Sequence, residues 1–171
     1  MAAKNPWLRE ANLIGGTWVG ADAGGTITVV NPADGSVLGT VPDVGRAEVA
    51  RAIAAAEAAF PAWAAKTAAE RAGILLKLAD LIRRNVDALG ELLTLEQGKP
   101  LAEAKGEVLG SAAYVQWFAE EARRVYGDTI PSPWADRRII VQKEPVGVIA
   151  AITPWNFPSS MISRKLGAAL A

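Results

Sequence analysis

The sequence predicts an α/β fold with an extended start, a helical middle and a strand–turn–helix end. Three observations carry this prediction. Residues 10–42 alternate short runs such as Thr26–Val30 and Ser36–Val41 with Gly15-Gly16, Gly24-Gly25, Asn31-Pro32-Ala33-Asp34-Gly35 and Gly39. That is the punctuation of short strands joined by tight turns. Residues 46–126 carry alanine and leucine at helical spacing, as packed helices require. Val146–Ile152 is apolar on both faces and leads through Pro154-Trp155-Asn156-Phe157-Pro158 into a helix-forming segment. A buried strand, a turn and a helix make the first half of a βαβ unit.

The elements follow in order. Arg46–Ala65 is Ala-rich and predicts a helix that Pro61 ends or kinks. Thr67 and Glu70 have the spacing of a capping box, so a second helix starts there. Its apolar residues Ile74, Leu75, Leu78, Leu81 and Ile82 follow helical periodicity and leave Lys77, Asp80, Arg83 and Arg84 for solvent. A shorter helix over Val86–Gln97 ends near Gly98, and Pro100 opens a long one reaching about Tyr126. Pro131 and Pro133 stop the helical pattern, which places a boundary at Gly127–Trp134. Arg137–Gln142 mixes polar and apolar residues and predicts an edge or projecting strand. Val146–Ile152 predicts a covered parallel strand, and Ser159–Ala171 a helix. The chain thus divides into 1–127, 128–145 and 146–171. One parallel strand needs neighbours, and Leu170-Ala171 carries no Gly or Pro stop signal, so the chain is expected to be a severed piece of a larger fold.

Composition narrows the chemistry. The 171 residues suffice for one sizeable core. Eighteen basic and eighteen acidic residues cancel, so no global field favours nucleic acid or an anionic membrane. The longest apolar stretch, around Val146–Ile152, is too short for a bilayer span, and Met1–Trp7 has no apolar leader core. A cytoplasmic location is the expectation. The sequence has neither cysteine nor histidine. Thiol nucleophiles, imidazole bases and the common zinc sites are therefore absent from these residues, and no metal site is expected. No G-x-G dinucleotide fingerprint or G-x-x-x-x-G-K phosphate loop is present.

Asn156 is the residue most suited to chemistry. It lies in a turn bracketed by Pro154 and Pro158 at the end of an apolar run. Two readings fit it: a rigid donor aimed at a reacting oxygen, or an asparagine satisfying backbone groups in a turn. Phe157, Met161 and Arg164 are spaced by four and three residues and would share one helix face. An apolar wall ending in a guanidinium suits a short ligand with a distal carboxylate. A solvated surface arginine is the other reading. Glu96, Glu103, Glu107, Glu120 and Glu121 read as solvated helix faces, and Tyr114, Trp117 and Phe118 as core or tunnel-wall packing.

The run Ile152–Pro158, flanked by Glu144-Pro145-Val146-Gly147 and Arg164–Leu170, resembles the first signature region of the NAD(P)-dependent aldehyde dehydrogenase superfamily. Ser160–Lys165 resembles the succinate-semialdehyde dehydrogenase branch, as do Asn31–Gly35, Leu95–Pro100 and Trp117–Ala122. The resemblance is collinear from about Leu13 to Ala171 and implies the N-terminal part of a Rossmann-like, cofactor-binding domain. It implies that Asn156 matches an oxyanion-hole asparagine, and that Ile152, Thr153, Pro154, Trp155 and Asn156 lie along NAD or NADP. It implies that Phe157, Met161 and Arg164 meet a semialdehyde, with Arg164 at the substrate carboxylate. Arg137–Lys143 resembles the family's projecting hairpin, which implies a homo-oligomer, a dimer or tetramer at full length. The family's nucleophilic cysteine and general-base glutamate lie downstream, so this chain alone is expected to be inactive. Glutarate semialdehyde is the alternative substrate, and a non-catalytic oligomerisation or binding module the alternative class.

Overall fold

The computed structural model describes residues 5–171. The reading of Met1–Lys4 as leader-free therefore falls outside the described residues. The extended start forms two hairpins. β1 (Asn12–Ile14) pairs antiparallel with β2 (Thr17–Val19), and β3 (Thr26–Val30) with β4 (Val37–Pro42). Gly15 and Gly16 both have positive φ, which the tight β1–β2 turn requires. Glu10 Oε1 accepts from Thr40 N–H at 2.9 Å and ties the segment before β1 to β4.

Four helices make the body: α1 (Arg46–Ala64), α2 (Ala68–Arg84), α3 (Val86–Gln97) and α4 (Leu101–Glu121). Glu48 anchors α1 to the hairpins. Its carboxylate accepts from Gly45 N–H at 3.0 Å and from Asp22 N–H at 2.8 Å. The Thr67 and Glu70 capping box is present at the start of α2, with Thr67 N–H donating to Glu70 Oε2 at 2.7 Å. Gly98, at φ 78, closes α3 in the left-handed conformation that sequence punctuation indicated.

α4 is the strut of the fold. Ala104, Val108, Ala112, Val115 and Ala119 recur at helical spacing and are all buried. Ala112, Val115 and Ala119 meet Ala72, Leu75 and Ala79 of α2, while Ala104 and Val108 meet Leu93 of α3. Alanine at most of these positions lets the helix backbones approach closely. The last helix, α5 (Pro158–Leu170), packs on the remaining flank of α4, with Gly167 against the Phe118 ring.

Several expectations change. α1 continues through Pro61 and ends at Ala64, because a proline in the last turn forfeits a single N–H bond near a terminus. The long helix stops at Glu121 and a 3-10 turn covers Ala122–Arg124, short of Tyr126. The expected boundary at Gly127–Trp134 contains β5 (Asp128–Ile130), which pairs antiparallel with β6 (Ile139–Val141). On α2 the buried stripe is Ala72-Leu75-Ala79, whereas Ile74, Leu78 and Leu81 are exposed. Val146–Ile152 forms no strand, and Val146 and Ile152 are 89% and 84% exposed. Every ladder among the described residues is antiparallel and two-stranded. A parallel strand gains its hydrogen bonds from neighbours, and the described residues supply none.

Candidate functional site

The site forms where α5 begins against α4. Pro158 occupies the first position of α5, where its missing N–H costs nothing. The residue before it, Phe157, has no side chain that can cap the helix. The orphan amides are satisfied from α4 instead: Glu107 Oε1 accepts from Ser159 N–H at 2.9 Å and Ser160 N–H at 3.1 Å. Glu107 is buried, which corrects its reading as a solvated carboxylate. A negative charge is favoured at that helix end. Ser111, fully buried on α4, donates to the Glu107 backbone carbonyl at 2.9 Å and hydrogen-bonds the Ser159 hydroxyl at 2.7 Å.

Lys99 completes the arrangement. It follows Gly98 in the α3–α4 connection, and its ammonium lies 2.5 Å from Glu107 Oε2. It also donates to the backbone carbonyl of Asn156 at 3.1 Å and lies 4.0 Å from the centroid of the Phe157 ring. Lys99 and Glu107 are thus residues that spacing and charge alone did not single out. One signal was available: a helix beginning Phe157-Pro158-Ser159-Ser160 has no capping side chain at its start and must borrow one.

Beside this pair runs an open groove of about 400 Å³ between α4 and α5. Ser160 and Arg164 line it from α5 and Phe157 from the residue before that helix, while Glu103, Glu107 and Tyr114 line it from α4 and Lys99 from the α3–α4 connection. Phe157 and Arg164 thus share the groove as their spacing indicated. Met161 does not line it, and Ser160 takes that place. The Arg164 guanidinium stacks over the Tyr114 ring at 4.5 Å and has no carboxylate partner among the described residues. Tyr114 is therefore a groove wall, whereas Trp117 is 60% exposed and is neither core nor wall. On the other side of the turn, Ile152, Thr153, Pro154, Trp155 and Asn156 form a continuous exposed stretch.

The exposed Asn156 thus lies next to a groove that carries both signs of charge, Glu103 and Glu107 with Lys99 and Arg164, of which Arg164 has no carboxylate partner among the described residues. Residues 18–171 match the Aldehyde dehydrogenase family, and the chain belongs to that family. It is 58% identical over 164 residues to a glutarate-semialdehyde dehydrogenase of Pseudomonas aeruginosa, covering 96% of this chain and 34% of that protein. It is 56% identical over 164 residues to the NADP(+) succinate-semialdehyde dehydrogenase of Escherichia coli, covering 96% and 34%. The crystal structure of succinate-semialdehyde dehydrogenase from Burkholderia pseudomallei superposes with a TM-score of 0.96 at 57% identity, covering 99% of this chain and 36% of that one. The chain spans about a third of the length of these relatives.

Proposed function

We propose that this chain is the N-terminal third of a dehydrogenase that oxidises succinate semialdehyde to succinate with NAD or NADP. The observation that carries the reading is Arg164, stacked on Tyr114 and without a carboxylate partner among the described residues, in the groove that Phe157 also lines. A guanidinium placed over a ring keeps its N–H fork available to a planar carboxylate. Asn156 lies at the near end of the same helix, so a ligand anchored at Arg164 directs its other end toward the carboxamide. There the amide N–H stabilises the aldehyde oxygen as it gains negative charge.

The exposed run Ile152–Asn156 fits a nicotinamide cofactor laid along it, and that cofactor accepts the hydride from the substrate when bound. The pyrophosphate would have to be held elsewhere. The start of α5, an obvious anion site by its dipole, is already occupied by Glu107. The nucleophile comes from outside these residues, because the chain has no cysteine, and by the family resemblance the general-base glutamate does too. The 171-residue chain alone is therefore inactive in this reading. Cofactor reduction by the purified chain with succinate semialdehyde would overturn that statement. The β5–β6 hairpin, with Ile140 exposed, serves as an assembly edge of a homo-oligomer in the cytoplasm. No described helix is long and apolar enough to cross a membrane.

The test compares succinate semialdehyde with butanal, which has the same carbon count and no carboxylate, in the full-length enzyme with and without Arg164→Ala. A charged hydrogen bond contributes about 1.5–3 kcal/mol, so kcat/KM for the semialdehyde should fall about 10- to 100-fold. The butanal value should hold. Unchanged preference for the carboxylated aldehyde removes Arg164 from the site. Glutarate semialdehyde is the second reading, favoured by the name of the Pseudomonas aeruginosa relative. Turnover of the four- and five-carbon semialdehydes separates the two.

A further inference from the structure

We propose that Lys99 and Glu107 are positioning residues for Asn156, acting as one clamp that fixes the turn from its backbone side. The inference rests on the oxyanion role given to Asn156 above. The ammonium of Lys99 has three donors, and three acceptors surround it: Glu107 Oε2 at 2.5 Å, the Asn156 carbonyl at 3.1 Å and the Phe157 ring face at 4.0 Å. The other oxygen of Glu107 takes the amides of Ser159 and Ser160. One ion pair therefore grips residues on both sides of Pro158. The side chains of Lys99 and Glu107 are only 9% and 3% exposed.

Burial argues that stability alone does not account for this pair. Two charges removed from water often regain in mutual attraction no more than their desolvation costs, and apolar residues of similar volume often serve stability as well or better. What the pair supplies, and apolar residues would not, is a defined position for the Asn156 backbone. The preceding run Ile152–Trp155 is exposed and has no comparable anchor among the described residues. Asn156 is thus the point at which that run becomes fixed. Its side-chain amide leaves the same Cα whose carbonyl is held by Lys99, so a shift of the carbonyl moves the carboxamide. Displacements near 1 Å at a reacting centre cost about 100-fold in rate.

The experiment uses the full-length enzyme carrying this segment, with succinate semialdehyde and saturating cofactor. Lys99→Met is compared in the wild-type and Asn156→Ala backgrounds, reading kcat and KM separately. In the wild-type background kcat should fall about 10- to 100-fold with KM changed less than about threefold. In the Asn156→Ala background the same substitution should lower kcat by less than about twofold, because residues acting as one unit are strongly non-additive. Lys99→Gln retains a neutral donor to the carbonyl and should recover part of the lost kcat. Glu107→Gln should lower kcat in the same non-additive way and speed hydrogen exchange at the Ser159 and Ser160 amides.

Equal loss from Lys99→Met with and without the Asn156 side chain would overturn the proposal, as would no loss in the wild-type background. Wild-type kcat in Asn156→Ala alone defeats the oxyanion assignment instead, and with it the catalytic consequence of the clamp. The hold itself is then read from exchange at Ser159 and Ser160, and rates unchanged by Lys99→Met and Glu107→Gln would overturn it too.

Discussion

Gly167 lies where α5 crosses α4, and replacing it with alanine tests the packing that presents the site. A Cβ built there would stand 2.8 Å from Phe118 Cδ2 and 3.4 Å from Phe118 Cβ and Cγ. Carbon atoms prefer separations of about 3.5–4.0 Å, so the ring or α5 must retreat by nearly 1 Å. Overpacking of this kind costs about 1–3 kcal/mol, while exchanging glycine for alanine within a helix returns up to about 1 kcal/mol. The net expectation is a loss of about 1 kcal/mol, or about 2–4 °C in Tm for a chain of this size. Gly73 in α2 is the matched control, since a Cβ there meets nothing within 4 Å. Gly73→Ala should therefore stabilise by up to about 1 kcal/mol. Urea denaturation followed by helical circular dichroism reads both variants. Phe118→Leu should recover stability in the Gly167→Ala background but not in the Gly73→Ala background. If Gly167→Ala stabilises as Gly73→Ala does, the close approach of α5 to Phe118 is wrong.

Two further outcomes follow from the caps. Thr67→Ala removes the acceptor of the Glu70 N–H and one of the two donors to the Glu70 carboxylate, leaving the Thr67 backbone N–H, and should cost about 1 kcal/mol in the same urea assay. Glu48 is held below the ordinary carboxylate range, chiefly by the Asp22 N–H and then by its other backbone hydrogen bonds, Gly45 N–H among them. A depressed folded pKa gives stability that is present above the unfolded pKa and lost as pH falls through the folded one. Glu48→Gln should therefore flatten the acid limb of a stability–pH profile and leave a smaller difference between pH 7 and pH 3.

What the sequence revealed and what it concealed divide along a physical line. Thr67 with Glu70, Gly98 and the Thr26–Val30 strand depend on residues close in the chain, and each stands as its local pattern indicated. Val146–Ile152 has the composition of a buried strand, yet a strand exists only with a partner, and composition carries no information about partners. β5 was hidden because Asp128–Ile130 is three residues between Gly127 and Pro131, too short for any periodicity. On the site, Phe157 and Arg164 were placed together by their spacing, whereas Met161 was displaced by Ser160. Glu107 was misread because a carboxylate on a helix is usually solvated. Its burial depends on helix amides 52 and 53 residues away and on Lys99, a tertiary coincidence that no local pattern reports.

The clamp has one consequence for how this site can be probed. Lys99 holds residue 156 by its main-chain oxygen, an atom that every amino acid possesses. The socket is therefore blind to the side chain it carries. Substitutions at Asn156 should exchange the functional group while leaving its mounting intact. The position can then take a series of donors, acceptors and inert groups, so that their effects report chemistry with little contribution from repacking.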